Sequence, residues 1–217
     1  MKNKQASGDP VFFTYRLLNK ELIFNYNSLM YKLYNILPIL VVITRKNMLT
    51  VKLLKVTSKD FVNGVIRVGE LKEMPSMQTG WHFNFNKHIT LPNATTYVLV
   101  AEETPHIIEG VLVFQMQSKV VPYLAYVEIA PHNKGKPKRF DHVAGCLIAY
   151  ACQLSFTHGQ DHYEGYLTFD VKEKEKVNEI KLMTLYSNKY KALRIGTTTT
   201  MLIIPKDEKS LIELYLE

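Results

Sequence analysis

A strand, a basic loop and a helix follow one another between residues 126 and 155, and this order is typical of a site that binds an anion. The segment YVEIA predicts a strand that ends before Pro131, and VAGCLIAYACQLS predicts a helix that begins with small residues. The loop between them carries four cations: Lys134, Lys136, Lys138 and Arg139. Free backbone N–H groups and the helix dipole favour an anion at the first turn of a helix. The pattern therefore predicts a phosphate-binding loop, although a basic loop that is merely solvated would have a similar composition.

Two residues near this loop could accept a proton. Glu128 alternates with Val127 and Ile129, so its side chain points to the opposite face of the strand and could border a cleft. A carboxylate placed there could take a proton from an incoming ammonium group, directly or through water. His132 is a second candidate, because imidazole titrates near neutral pH. The alternative for Glu128 is an exposed strand glutamate without a chemical role.

The segments before the loop predict a framework that is rich in strands. Residues 49–57 alternate as a strand does. Ser58 predicts a helix N-cap, because apolar residues follow at helical spacing: Phe61, Val65, Val68 and Leu71. The aromatic segment 80–91 predicts a short helix or a loop, whose rings either fill the core or form one wall of a cleft. Three strands with short connections then predict an antiparallel meander, over residues 95–103, 107–117 and 123–130.

The segments after the loop predict a return to the same sheet. A helix is predicted over residues 141–158, and Gly159 ends it. Residues 163–171 predict a strand that lies beside 123–130 through a right-handed β-α-β crossover. A helix over 178–190, a strand over 197–205 and a short terminal helix complete the chain. The predicted fold is α/β, with a mixed, mostly antiparallel central sheet of about six or seven strands flanked by helices.

This order of elements, from about Met48 to Pro205, resembles the GNAT superfamily of acyl-CoA-dependent N-acetyltransferases. The loop-to-helix signature of that superfamily is Gln/Arg-x-x-Gly-x-Gly/Ala. The segment RFDHVA falls in register with it, with Arg139 at the first position and Ala144 at the last. His142 stands where a glycine is usual. The segment EIAPHNKGK, followed by VAGCLIA, is also similar to sequences of a group of uncharacterised bacterial GNAT-like proteins.

A second segment carries the same resemblance. LYSNKYKA, residues 185–192, is similar to the Tyr-Glu-Lys-x-Gly-Phe segment on the penultimate helix of the superfamily. Tyr186 matches the tyrosine that protonates the departing thiolate in many members, and Lys191 stands where glycine is typical. A packing role is the alternative for Tyr186, because tyrosines on amphipathic helices are often half-buried.

The resemblance implies that the chain transfers an acetyl group from acetyl-CoA to an amine. It implies that the main chain near Ile129 pairs with the pantetheine arm, that Glu128 or His132 is the base and that Tyr186 is the acid. It also implies that the loop and first helical turn bind the phosphates: Lys134, Lys136, Lys138, Arg139, Phe140, Asp141, His142, Val143 and Ala144. Because His142 and Lys191 replace usual glycines, the alternative is a non-catalytic CoA-binding or protein-interaction module with the same fold.

The formal net charge of +7 is unevenly distributed along the 217 residues. Residues 1–47 hold seven Lys or Arg and two Asp or Glu, whereas residues 48–217 hold 20 and 18. We therefore predict a basic N-terminal extension, 1–47, followed by a GNAT-like domain, 48–217. No nucleic acid is expected to bind the nearly neutral domain. Its expected partner is a small-molecule or protein amine, and the extension could alternatively bind RNA or a membrane. No pattern predicts the oligomeric state.

Several other patterns exclude classes of site. Cys146 and Cys152 lie six residues apart on one predicted helix, so they cannot pair there, and a reducing, cytoplasmic setting is expected. The longest apolar run near the N-terminus, residues 36–43, is far shorter than the roughly 20 residues of a bilayer span. Gly159 interrupts the helix that would align His158 with His162, so no metal site is expected.

Overall fold

The computed structural model describes residues 48–135 and 137–217. The predicted extension, residues 1–47, and Lys136 lie outside the described residues. The strands are β1 (Met48–Lys55), β2 (Phe61–Val68), β3 (Ala94–Ala101), β4 (Thr104–Gln117), β5 (Val121–Ile129), β6 (Phe140–Asp141), β7 (Leu167–Asp170), β8 (Leu193–Arg194) and β9 (Thr200–Ile203). The α-helices are α1 (Phe85–His88), α2 (Val143–His158), α3 (Lys176–Tyr190) and α4 (Pro205–Leu216).

All of these strands join one sheet in the order β6-β1-β2-β3-β4-β5-β7-β9-β8. The pair β5 and β7 is parallel, and the other neighbours are antiparallel. The mixed, mostly antiparallel sheet predicted from the sequence is therefore confirmed. The sheet has more strands than the six or seven predicted, because β2 and two very short strands at the edges, β6 and β8, add to it.

The segment after Ser58 forms strand β2, so the prediction of a helix there is wrong. β2 runs antiparallel to β1, with Leu53 opposite Val62. The chain reverses through Lys59, whose φ of 60° is left-handed. The apolar spacing in FVNGVIRV suits a helical face, but half of these eight residues are β-branched. Such side chains lose rotamer freedom in a helix and pack well on a pleated surface, so the strand is favoured.

The antiparallel meander of β3, β4 and β5 is confirmed. Alternate side chains of these strands supply two cores, one on each face of the sheet. Leu99, Leu112 and Leu124 point to the face that α2 covers. Val98 and Val111 point to the other face, where Trp81 and Phe85 pack on them. The aromatic segment follows a 3-10 turn, Met77–Thr79, and contains the short helix α1. Trp81 and Phe85 fill the core, which was one of the two roles predicted for this segment.

Helix α2 connects β5 to its parallel neighbour β7, as the predicted crossover requires. It begins at Val143 rather than at 141, because Phe140 and Asp141 pair with β1 at the edge of the sheet. Gly159 caps its C-terminus, as predicted. Ten of its 16 residues are buried, so the helix is enclosed by the sheet on one side and by its neighbours on the other.

The predicted helix over 178–190 is α3, and α4 is longer than the short terminal helix that was expected. Helix α4 packs on α2, where Gly145 lies directly under the ring of Tyr215. A Cβ at Gly145 would lie 2.2 Å from that ring. Within residues 48–135 and 137–217, no helix is long and apolar enough to cross a bilayer.

Candidate functional site

A cavity of about 400 Å³ opens between the parallel strands β5 and β7. One residue pair, Tyr123 with Thr168, is in register between them in the described structure. The hydroxyl of Thr168 also donates to the carbonyl oxygen of Pro122 over 3.0 Å. Further along, the facing edges of the two strands do not pair, and the cavity occupies that gap. We call it the slot; residues 124–129 and 169–173 line it.

The slot reaches both faces of the sheet because side chains of β5 alternate between them. On the side covered by helices, which we call the helix side, it is lined by residues of β5, α2 and α3: Val127, Ile129, Ala144, Ile148, Leu182, Leu185, Tyr186 and Tyr190. On the opposite side, the loop side, the lining residues are His82, Phe83, Tyr126 and Glu128. Phe83 thus forms a wall of the cleft, which was the other role predicted for the aromatic segment.

Glu128 lies on the loop side, and its side chain is 6% exposed. Its carboxylate accepts the backbone N–H groups of His82 (2.7 Å) and Phe83 (3.0 Å). Lys134 Nζ also lies 2.6 Å from Glu128 Oε1. The carboxylate therefore fixes the aromatic loop to β5 and holds a primary ammonium group inside the slot.

Tyr186 lies on the helix side, with its ring against those of Phe169 (5.0 Å between centroids) and Tyr190 (5.9 Å). Burial, together with the nearby charge of Glu173, raises the pKa of Tyr186 to about 12. Its hydroxyl is therefore neutral at physiological pH and remains a hydrogen-bond donor. Tyr190 lines the slot as well and was missed in the sequence, because no motif distinguishes it from a packing residue.

The first turn of α2 meets the slot at Ala144. In the described residues, no acceptor is hydrogen-bonded to the backbone N–H groups of Val143, Ala144 or Gly145, whereas the N–H of Cys146 donates to the carbonyl oxygen of His142. These three donors point from the positive end of the helix dipole. The small side chain of Ala144 leaves room beside them, so the turn is suited to an anion.

Both residues that stand at usual glycine positions have left-handed backbones. The φ of His142 is 71° and that of Lys191 is 59°, at the start of α2 and the end of α3. Glycine adopts this conformation at little cost, which explains the preference at these positions. The imidazole of His142 lies between the rings of Phe61 (5.7 Å) and Tyr215 (5.5 Å), so it packs against neighbouring elements.

The described cations of the loop are each held by carboxylates. Lys138 Nζ lies 2.7 Å from Asp141, and Arg139 lies 3.1 Å from Glu109. Burial alone would raise the pKa of Asp141, but the hydrogen bond from Lys138 helps to lower it overall. Lys134 contacts Glu128, as described. The sequence therefore located these cations correctly near a helix start but could not reveal their carboxylate partners.

Glu109 organises the loop, and sequence reasoning missed it. Its carboxylate is fully buried and accepts from Asn133 Nδ2 (2.7 Å) and Arg139 Nη1 (3.1 Å). His132 Nε2 lies 2.6 Å from the same carboxylate. His132 thus contacts Glu109 and is not part of the slot lining, whereas Glu128 is. Asn133 in turn accepts the N–H of Phe140 over 2.9 Å, which ties the end of the loop to its start.

A further buried carboxyl, Glu208, lies on α4. Burial raises its pKa to about 9, so the group is protonated at neutral pH. The hydroxyl of Ser155 lies within hydrogen-bonding distance of both Glu208 and the carbonyl oxygen of Cys152. Burial also raises the pKa of Cys146 to about 12 and that of Cys152 well above its usual value, so both thiols are inert packing groups. Among residues 48–135 and 137–217, no cluster of metal-binding side chains is present.

No family model matches the sequence, and no curated protein is significantly similar to it. Solved structures are similar at the level of the backbone. A KacTA–DNA complex aligns with a TM-score of 0.48 and 11% identity, over 69% of this chain and 98% of that one. AtaTR bound with AcCoA aligns with a TM-score of 0.45 and 13% identity, over 69% and 98%.

A chimera of spermidine N-acetyltransferase SpeG from Vibrio cholerae with hSSAT aligns with a TM-score of 0.44 and 16% identity, over 67% of this chain and 98% of that one. The fold of the described residues is α/β, with a mixed, mostly antiparallel sheet flanked by helices. The mixed, mostly antiparallel sheet and the parallel pair β5 and β7 agree with the architecture predicted from the sequence. At these identities and TM-scores, function is argued from the residues of the slot alone.

Proposed function

We propose that this protein transfers an acetyl group from acetyl-CoA to the amine of an acceptor. One observation carries the proposal. The slot brings the first turn of α2, Glu128 and Tyr186 together around the gap between β5 and β7. These are the parts that acyl transfer to an amine requires: a site for the donor's phosphates, a base for the amine and a proton donor for the leaving sulfur.

In this proposal, acetyl-CoA binds on the helix side of the slot. The three N–H groups at the start of α2 would hold the diphosphate, since Lys134, Lys138 and Arg139 already contact carboxylates. The edge of β5 that faces the gap offers main-chain groups near Ile129 to the amides of the pantetheine arm. The cavity is of the size that small-molecule sites usually have.

Glu128 is the base in this proposal, because it lines the slot whereas His132 does not. Its carboxylate already holds an ammonium group, that of Lys134, at 2.6 Å. An acceptor amine that enters from the loop side would meet the same carboxylate beside Phe83 and Tyr126. Proton transfer to Glu128, directly or through water, would make that amine nucleophilic.

Tyr186 is the group that stabilises the leaving sulfur on the helix side, in the place of the acid that the resemblance implied. Because its pKa is about 12 and that of an ordinary thiol is about 8.5, complete transfer of its proton to the sulfur is uphill. Its hydroxyl would instead stabilise the thiolate through a hydrogen bond as the C–S bond breaks, and solvent would complete protonation. Activity should therefore not fall through ionisation of this tyrosine below about pH 11.

Binding of the donor is tested first, on the full chain, by calorimetry with CoA and acetyl-CoA. Ala144→Asp places a negative charge at the α2 turn and should abolish binding. Gln153→Asp places the same charge at an exposed position of the same helix and should leave binding intact. If neither the wild type nor Gln153→Asp binds CoA, the proposal fails.

Turnover is tested by thiol release in the presence of a panel of primary amines. Tyr186→Phe should lower the rate by about 100-fold. Tyr150→Phe is the matched control, because the pKa of Tyr150 is also raised to about 12 by burial but its ring packs on Tyr97, away from the slot lining. An unchanged rate in Tyr186→Phe would remove its assigned role. Binding of acetyl-CoA without thiol release for any amine would instead favour a non-catalytic CoA-binding module.

A further inference from the structure

The slot already contains a primary amine of the chain itself. The side chain of Lys134 lines the slot, and its Nζ lies 2.6 Å from Oε1 of Glu128. The Lys134 side chain is 44% exposed, whereas Glu128 is 6% exposed, so the ammonium group extends from the loop toward a buried carboxylate. This is the contact that an acceptor amine would make with the base.

The backbone at Lys134 is anchored, which fixes where its side chain begins. The N–H of Lys134 donates to the carbonyl oxygen of Pro131 over 3.1 Å. The preceding residue, Asn133, is buried and bound to Glu109 and to the N–H of Phe140. An amine tethered in this way reacts as an intramolecular group, and its effective concentration at the slot exceeds that of a free amine by orders of magnitude.

We propose that Lys134 is a self-acetylation site, modified within the same molecule by the acetyl group of a CoA thioester. This inference depends on the proposed function, since it uses the same donor site. Glu128 takes one proton from the Lys134 ammonium group. The neutral Nζ then attacks the thioester carbonyl, so that the N–C bond forms, the C–S bond breaks and CoA leaves as a thiolate that Tyr186 stabilises and solvent protonates. The nitrogen loses its second proton to solvent as the amide forms, and Glu128 releases the proton that it took to solvent.

Acetylation of Lys134 changes the slot. The product is a neutral amide, which no longer forms an ion pair with Glu128. The carboxylate would then be available to an external ammonium group on the loop side. Self-acetylation thus happens once in each molecule, and it frees the carboxylate of Glu128 from Lys134.

The experiment is incubation of the full chain with acetyl-CoA, followed by peptide mass spectrometry over time. Lys134 should gain one acetyl group at least about tenfold faster than two reference lysines. The first reference, Lys138, lies in the same loop but contacts Asp141. The second, Lys72, has a side chain that is 82% exposed, so it controls for acetylation that depends on exposure alone. The rate constant should be independent of protein concentration, and Glu128→Gln should lower it.

The outcomes separate this inference from the proposed function. If CoA binds by calorimetry but Lys134 is modified no faster than Lys138 and Lys72, self-acetylation is refuted and the donor site stands. A rate constant that rises in proportion to protein concentration refutes the intramolecular step. If CoA does not bind, the proposed function itself fails, and with it the inference.

Discussion

Replacement of Glu208 by Gln should make the folded domain less sensitive to alkaline pH. The carboxyl of Glu208 is fully buried, and burial raises its pKa from an ordinary value of 4.5 to about 9. The folded chain therefore keeps this proton up to about pH 9, while the unfolded chain loses it above about pH 4.5. As a protonated acid, Glu208 can donate to the Ser155 hydroxyl, which donates onward to the carbonyl oxygen of Cys152. Glutamine preserves the shape and has no proton to lose.

The magnitude follows from proton linkage. Between pH 4.5 and 9 the folded state binds one more proton than the unfolded state, so the free energy of unfolding falls as pH rises, by about 1.4 kcal/mol per pH unit. From pH 6 to pH 8 the wild type should lose about 2.7 kcal/mol from this group. Glu208→Gln should lose none of it, so its stability relative to wild type should rise by that amount.

The assay is urea unfolding at pH 6 and pH 8, followed through the fluorescence of Trp81, the single tryptophan of the chain. Trp81 is buried, so its emission reports on unfolding. Glu213→Gln, on the exposed face of the same helix, is the control and should follow the wild type. If Glu208→Gln and wild type lose stability in parallel between the two pH values, the carboxyl is not protonated in the folded state and the reasoning is refuted.

Three further predictions concern the remaining buried groups. Glu109→Gln, which leaves three donors without a buried carboxylate, should cost about 3 kcal/mol in urea unfolding; a loss below about 1 kcal/mol would show that the loop is anchored elsewhere. Gly145→Ala should destabilise by about 1–3 kcal/mol because its Cβ meets Tyr215 at 2.2 Å, although alanine is the better helix former; a higher melting temperature would contradict this packing. Cys146 and Cys152 should resist a thiol reagent in the folded protein and both react after denaturation, since each is buried with a raised pKa; fast labelling of the native protein would contradict their burial.

The sequence predicted most of the sheet because alternation of apolar residues is a local signal. The meander and the crossover follow from such alternation and from short connections, and the structure has both. The error at β2 has a physical cause. Phe61, Val65 and Val68 fit a helical face as well as a strand. The β-branched residues of the segment and its pairing with the preceding strand β1 decided the choice, and the spacing of apolar residues alone reports neither.

The candidate site was predicted in part. Glu128 and Tyr186 were selected from strand alternation and family register, and both line the slot. The partners of the loop cations could not be predicted, because Glu109 reaches the loop only through the fold. A signal was nevertheless present, since a glutamate inside the apolar strand segment IIEGVLV needs buried donors and so marks a built polar cluster.

Strands β5 and β7 are joined by one residue pair in register, Tyr123 with Thr168, so the sheet is weakly connected at this point. Six strands, from β6 to β5, form one part, and β7, β9 and β8 form the other. A ligand whose amide groups lie along the gap would form hydrogen bonds with the edge of β5, in the place of the hydrogen bonds that β7 does not make there. With such a ligand bound, the two parts would move together as one sheet.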